Sequence, residues 1–183
     1  MPRGPKLRHA PLSPPFHVVL VEPEIPPNTG AVARSCAATS SPLHLVRPLG
    51  FDIDARAVRR AGLDYWHLVD LHVHDDWTAF RAAYPGRALH LFASGARRSY
   101  LDADLEPGDA LVFGRESVGL PEGLLAEHPD RVWGIPTSGG VRSLNLSNAV
   151  SIVLYECLRR HGALANTWVE EEGPAGDDGG AKL

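Results

Sequence analysis

Apolar and polar positions along this chain follow two rhythms. Six short runs rich in aliphatic and β-branched residues, at 16–21, 43–46, 68–73, 88–93, 110–113 and 132–135, have the length and continuity of buried strands. Between them lie segments whose apolar residues recur at helical spacing. This alternation predicts an α/β fold, a single domain with a mostly parallel sheet flanked by helices. The last helix is the best marked, with Leu146, Val150, Val153, Leu154, Cys157 and Leu158 at steps of three and four. Ser143 and Asn145 stand before it as capping residues, and Arg159 and Arg160 close it where the helix dipole favours cations. Its apolar stripe predicts packing on the sheet rather than a contact between copies.

The periodicity stops at both ends. Residues 1–15 are Pro-rich and basic, and residues 166–183 are rich in Gly, Asp and Glu. Such compositions offer too little apolar surface to offset ordering entropy, so both ends are expected as flexible tails around a folded domain at 16–165.

With 183 residues, 44% of them hydrophobic, one domain can bury a continuous core. The chain holds no run of about 18 apolar residues and no secretory signal near Met1, which predicts a cytoplasmic protein with no membrane partner. Cys36 and Cys157 fall inside helical patterns and read as small buried hydrophobes. The net charge of −4 gives a nucleic-acid partner no general attraction. Setting aside the tails, +3 at the start and −4 at the end, leaves −3 on the body. Both lysines lie in the tails, so the body's cations are arginines, whose planar forks suit phosphates. Any RNA contact must therefore be local.

Three segments, each following a strand run, carry the candidate chemistry, because ligands of open parallel sheets bind at the carboxyl ends of strands. The first is EPEIPPNTGAVAR at 22–34. Its prolines stiffen the loop, Asn28 is placed to cap the next helix, and Arg34 shares a helix face with the small residues Gly30 and Ala31. The second, LVFGRESVGLP at 111–121, matches neither GxGxxG nor a Walker A loop, and Glu116 reads as a cap or hydrogen-bond anchor. The third, IPTSGGVRSLNLSNA at 135–149, places Arg142, Ser143, Asn145, Ser147 and Asn148 around a helix start that needs only one of them as a cap. His72 and His74 beside Asp75 and Asp76 read as a strand end and a helix cap, not as a metal site.

In this order the segments resemble the three motifs of the SpoU-type RNA methyltransferases. The resemblance rests on Asn28, Gly30 and Arg34, on Phe113, Gly114 and Glu116, and on SLNLSN at 143–148. Within that family, EPEIPPNTG at 22–30 and RRAGLDY at 59–65 are similar to the branch acting on the wobble cytidine or uridine ribose of tRNA. The likeness implies a deep C-terminal trefoil knot, with residues 143–160 threaded through a loop, and a homodimer with its active site at the subunit interface. It implies S-adenosyl-L-methionine as cofactor, held near Ser94, Gly114, Glu116, Ile135, Ser143, Leu144 and Asn145. It implies a catalytic set of Arg34, Asn28, Ser147 and Asn148, no metal, and the tRNA anticodon stem-loop as partner. Arg59, Arg60 and Arg142 are the phosphate-contact candidates. One position departs from the pattern: Ala31 stands where the family often carries a second Asn.

An Arg with a pKa above about 12 is a poor base, so Arg34 is expected to grip a phosphate and stabilise developing alkoxide charge. Ser147 and Asn148 would orient the ribose or the cofactor loop. Two other readings remain: methylation of rRNA or another tRNA position, and a non-catalytic RNA-binding knot protein.

Overall fold

A computed structural model describes residues 5–52 and 66–170. Among the described residues, six strands form one sheet and pair in parallel throughout: β2 (His17–Val21), β3 (Leu43–Val46), β4 (Leu71–His74), β5 (Leu89–Phe92), β6 (Ala110–Phe113) and β7 (Val132–Trp133), in the order β4-β3-β2-β6-β5-β7. All six lie within the predicted runs or at their ends, and the mostly parallel α/β sheet is as the alternation implies. The four central strands are buried along their whole length, which is why they read as continuous apolar runs rather than alternating ones.

Helices cover both faces. On one, α1 (Pro26–Thr39) and α4 (Leu146–Arg160) pack against Val18, Leu20, Leu43, Leu45, Leu111 and Phe113 through Val32, Ala33, Cys36, Val150, Val153, Leu154 and Cys157. The α4 stripe is core, as its spacing implies, and both cysteines are free and buried. On the other face, α2 (Trp77–Ala83) and α3 (Glu122–Glu127) supply Phe80 and Leu124 to a second core around Val19, Val21, Leu91 and Val112. Asp76 caps α2, accepting from the Ala79 N–H at 2.7 Å, and His72 and His74 lie in β4.

The chain ends depart from the compositional expectation at eight residues. β1 (Lys6–His9) and β8 (Thr167–Glu170) pair antiparallel as a separate two-stranded sheet, with Leu7 opposite Val169 and Arg8 opposite Trp168. Arg8 Nη2 also meets Glu170 Oε2 at 2.6 Å. β1 alone is too polar to read as a strand, and partnership between distant ends supplies the ladder, which no local pattern encodes.

Candidate active site

The order of the sheet places a crevice where the chain reverses direction. From β2 the connections run outward through β3 and β4, whereas β6, β5 and β7 lie on β2's other side. Loops leaving neighbouring strands diverge at such a point and leave a gap at the carboxyl ends. Here the gap is a cavity of about 520 Å³. Its wall comes from the loops after β2, β5, β6 and β7 and from the first turns of α1 and α4.

The loop after β6 is fixed by close backbone approach. A Cβ at Gly114 would sit 2.2 Å from the Gly119 carbonyl carbon and the Leu120 nitrogen, so only glycine fits. Arg115 and Gly119 exchange two backbone hydrogen bonds, at 3.1 and 2.9 Å, which close the intervening residues into a tight turn. The loop after β2 is held by its neighbours as well. Glu22 adopts φ 54 and pairs its carboxylate with Arg115, and the Gly50 N–H donates to the Pro23 carbonyl at 2.9 Å.

Glu116 joins these loops. Its Oε2 accepts from the Glu24 N–H at 2.8 Å, and its Oε1 accepts from the Ile25 N–H at 3.3 Å and from Asn28 Nδ2 at 3.0 Å. In return, the Ser117 N–H donates to Glu24 Oε2 at 3.0 Å. A carboxylate thus sits at the N-terminus of α1, where unpaired N–H groups and the helix dipole favour negative charge. The anchor reading of Glu116 holds, and it corrects the role expected of Asn28. The helix begins at Pro26, with Ile25 as an N-cap that offers no side-chain bond. Because proline suits a first helical position, the helix starts earlier than a capping Asn28 would require. Asn28 is instead buried inside the first turn, and its Oδ1 accepts from Asn145 Nδ2 at 2.9 Å.

Asn145 caps α4, its Oδ1 accepting from the Ser147 N–H at 2.9 Å, Ser147 Oγ at 2.7 Å and the Asn148 N–H at 3.4 Å. One continuous chain of hydrogen bonds, Glu116–Asn28–Asn145–Ser147, therefore spans all three motifs. Among the expected residues, Asn28, Ser94, Gly114, Glu116, Ile135, Arg142, Ser143, Leu144 and Asn145 line the cavity. Arg34, Ser147 and Asn148 do not line it. Arg34 follows Asn28 by six residues on α1, about 120° around the helix and about 9 Å along it, and is exposed. Ser147 and Asn148 lie in the first turn of α4, which packs beside α1 with Ser35 Oγ and Ser151 Oγ 2.9 Å apart. Arg59 and Arg60 lie outside the described residues.

Sequence reasoning missed Phe92 and Trp133, both in the wall. Phe92 stacks on Phe113 with ring centroids 4.8 Å apart, and Trp133 donates its indole N–H to His90 Nδ1 at 3.2 Å. Each terminates a strand and so reads as ordinary core; only its place at a carboxyl end marks it. Among the described residues, no group of three or more His, Cys, Asp and Glu is arranged to hold a metal ion, and no helix is long and apolar enough to cross a membrane.

Relatives share this architecture. The tRNA (cytidine(34)-2'-O)-methyltransferase of Burkholderia pseudomallei (strain 1106a) is 49% identical over 150 residues, 80% of this chain and 96% of that protein. A solved structure from work on the 2-OH methylation of C/U34 on tRNA superposes with a TM-score of 0.75 at 48% identity, covering 80% of this chain and 95% of the other. The SpoU methyltransferase AviRb from Streptomyces viridochromogenes, solved in complex with the cofactor AdoMet, gives a TM-score of 0.66 at 25% identity, covering 84% of this chain and 59% of that one. The SpoU rRNA Methylase family model matches residues 15–155, a span that contains all three loops meeting at the cavity, and the chain belongs to that family.

Proposed function

We propose that this protein transfers the methyl group of S-adenosylmethionine to the ribose 2′-hydroxyl of the wobble cytidine or uridine in tRNA. The cavity at the β2–β6 switch point carries the reading, because all three motif loops meet there and are tied by one hydrogen-bond chain. The wobble assignment draws on the name of the Burkholderia pseudomallei relative and on the C/U34 structure.

The residues present suit the cofactor. A volume of about 520 Å³ falls within the range of small-molecule sites. Phe92, Phe113, Trp133 and Ile135 offer apolar surface for a heteroaromatic ring, and Ser94, Thr137, Ser143 and Asn145 offer polar groups for the remainder. AdoMet in a family structure supports the same choice. When bound, S-adenosylmethionine supplies a methyl carbon activated by a sulfonium, with a neutral thioether as leaving group. The chain's task is then positioning. Glu116, Asn28 and Asn145 fix the three loops, while Ser147 and Asn148 orient the ribose from the start of α4. Arg34 grips the neighbouring phosphate and stabilises charge developing on the 2′-oxygen, and Arg59, Arg60 and Arg142 contact phosphates of the anticodon stem-loop.

The placement of Arg34 away from its own chain's cavity supports a homodimer in which one protomer's arginine serves its partner's site. Ile152 and Tyr155, both exposed on α4, give such a contact apolar area. Family membership also supports the trefoil knot, with α4 threaded through the loops whose residues share the cavity wall with Leu144 and Leu146. A tRNA substrate implies the cytoplasm.

The test is methyl transfer from labelled S-adenosylmethionine to an anticodon stem-loop carrying either ribose or 2′-deoxyribose at the wobble position. Transfer to the first and none to the second is expected. Equal transfer to both moves the target elsewhere in RNA, the reading that the family's rRNA description favours. Absence of cofactor binding in a calorimetric titration would leave a non-catalytic RNA-binding protein.

A further inference from the structure

Behind the cavity wall lies a buried polar chain that neither the motifs nor the reaction accounts for. His90, at the second position of β5, is 1% exposed and shut off from solvent. Its Nε2 lies 2.9 Å from Asp109 Oδ2, and its Nδ1 lies 3.2 Å from the Trp133 indole nitrogen. An indole N–H can only donate. Nδ1 must therefore be the acceptor and Nε2 must carry the proton that goes to Asp109, so the geometry dictates the tautomer. Asp109 is fixed in turn by the Glu106 N–H, which donates to the same oxygen at 3.0 Å.

Trp133 is held from another direction too. The Arg98 guanidinium carbon lies 4.3 Å from the centre of the indole ring, and Arg98 Nη2 donates to the Pro129 carbonyl at 3.3 Å. A cation stacked on a ring and a hydrogen bond to the ring's only polar atom leave the indole no rotational freedom. A plain strand-end apolar residue needs neither. The same ring lines the cavity, beside Phe92.

We propose that Asp109 and His90 are positioning residues for the cofactor site, setting the plane of Trp133 so that the indole presents a preformed apolar wall to the ligand. This rests on the reading of the cavity as the S-adenosylmethionine site. Preorganisation of this kind lowers the ordering cost of binding and so acts on affinity. No proton moves in the reaction on account of His90; its role is acceptor geometry alone.

His90→Phe removes the acceptor and leaves the indole N–H buried and unpaired. His90→Asn places a carbonyl oxygen near the position of Nδ1 and retains an acceptor. Asp109→Ala frees the imidazole to adopt the other tautomer, whose Nδ1–H would face the indole N–H. Binding of S-adenosylmethionine to the full chain is read by calorimetry, methylation is read under single-turnover conditions, and thermal unfolding monitors the fold. The expected result is about tenfold weaker cofactor binding in His90→Phe and Asp109→Ala, near wild-type binding in His90→Asn, and a single-turnover rate at saturating cofactor that changes far less than the affinity. Trp133→Phe should weaken binding comparably, and adding His90→Phe to it should cost little more, since the bond is already gone.

Equal affinity in wild type, His90→Phe and Trp133→Phe would overturn the positioning role while leaving the cofactor reading intact. Additive losses in the double variant would also overturn it, marking two independent core defects. No binding by the wild-type protein would overturn both readings together. If His90→Phe fails to fold, Asp109→Ala against His90→Asn carries the same comparison.

Discussion

Asn28 Nδ2 donates to Glu116 Oε1 at 3.0 Å, while Asn28 Oδ1 accepts from Asn145 Nδ2 at 2.9 Å. One buried amide thus couples the carboxylate that caps α1 to the cap of α4. An amide can satisfy a donor and an acceptor at once, which an ionised Asp, an acceptor only, could not do with the same pair.

Glu116→Ala should therefore act on stability and on the site together. It removes the acceptor for two loop N–H groups and for Asn28. A loss of about 2 kcal/mol is expected in denaturant unfolding, within the range for charge-assisted bonds and helix caps. Cofactor affinity, measured by calorimetry, should fall with it, and Glu116→Gln, which keeps one acceptor, should lose less.

Gly114→Ala and Gly119→Ala should separate two reasons for a glycine. At Gly114 a Cβ would meet backbone atoms at 2.2 Å, so overpacking of the loop should cost about 1–3 kcal/mol or abolish folding. At Gly119 nothing crowds a Cβ, but φ is +78°, and left-handed backbone alone should cost about 1 kcal/mol. Thermal unfolding of the two variants gives the order.

For Arg34→Ala, the expected signature is a single-turnover methylation rate about 100-fold lower or worse at saturating cofactor, with cofactor affinity retained, because Arg34 lies off the cavity wall. Mixed dimers of this variant with one defective in cofactor binding should regain part of the rate if the arginine serves the partner's site. Unchanged turnover in the single variant would remove Arg34 from the mechanism.

Acid should weaken the fold through a histidine row. His17 Nδ1 lies 2.8 Å from His44 Nε2, and His44 Nδ1 lies 3.0 Å from His74 Nε2. Burial, aided by Arg87 and His72 against a small opposing pull from Asp70, lowers the His17 pKa from 6.5 to about 4. Burial and the neighbouring His17, His72, His74 and Arg87 lower that of His44 further. Below pH 6.5 the unfolded chain binds protons that the folded chain refuses. Stability is thus fully present above pH 6.5 and lost as pH falls toward 4, by up to about 1.4 kcal/mol per pH unit for each proton refused. Urea midpoints at pH 7.5 and 5.5 should differ accordingly, and His44→Leu should flatten the difference.

Replacing Arg59 and Arg60 with Ala should weaken binding of the anticodon stem-loop and make its dependence on salt shallower, by about one unit of log–log slope for each phosphate that an arginine no longer neutralises. Filter binding across a range of salt concentrations measures this, and an unaltered slope would exclude both arginines from phosphate binding.

Much of this molecule was determined locally and could be read along the chain. Runs such as 43–46 and 110–113 are buried on both faces, so composition alone marks them as parallel strands. The α4 stripe and its Asn145 cap follow from helical spacing and from the chemistry of a free N–H. The three loops are marked by following strand runs, and 135–149 carries more polar side chains than a helix cap uses. What the sequence left open depends on which distant residues meet. The sheet order brings Glu116 to the start of α1 and Asn28 to Asn145, and so turned an expected cap into a coupling amide. Pairing of Lys6–His9 with Thr167–Glu170 likewise exists only between chain ends. Trp133 and His90 look like core until the fold sets one against a cavity and the other behind it. Short-range spacing fixes what an element is, because periodicity and capping act within a few residues. Which elements face one another is decided by packing the whole sheet, and the site belongs to that second level.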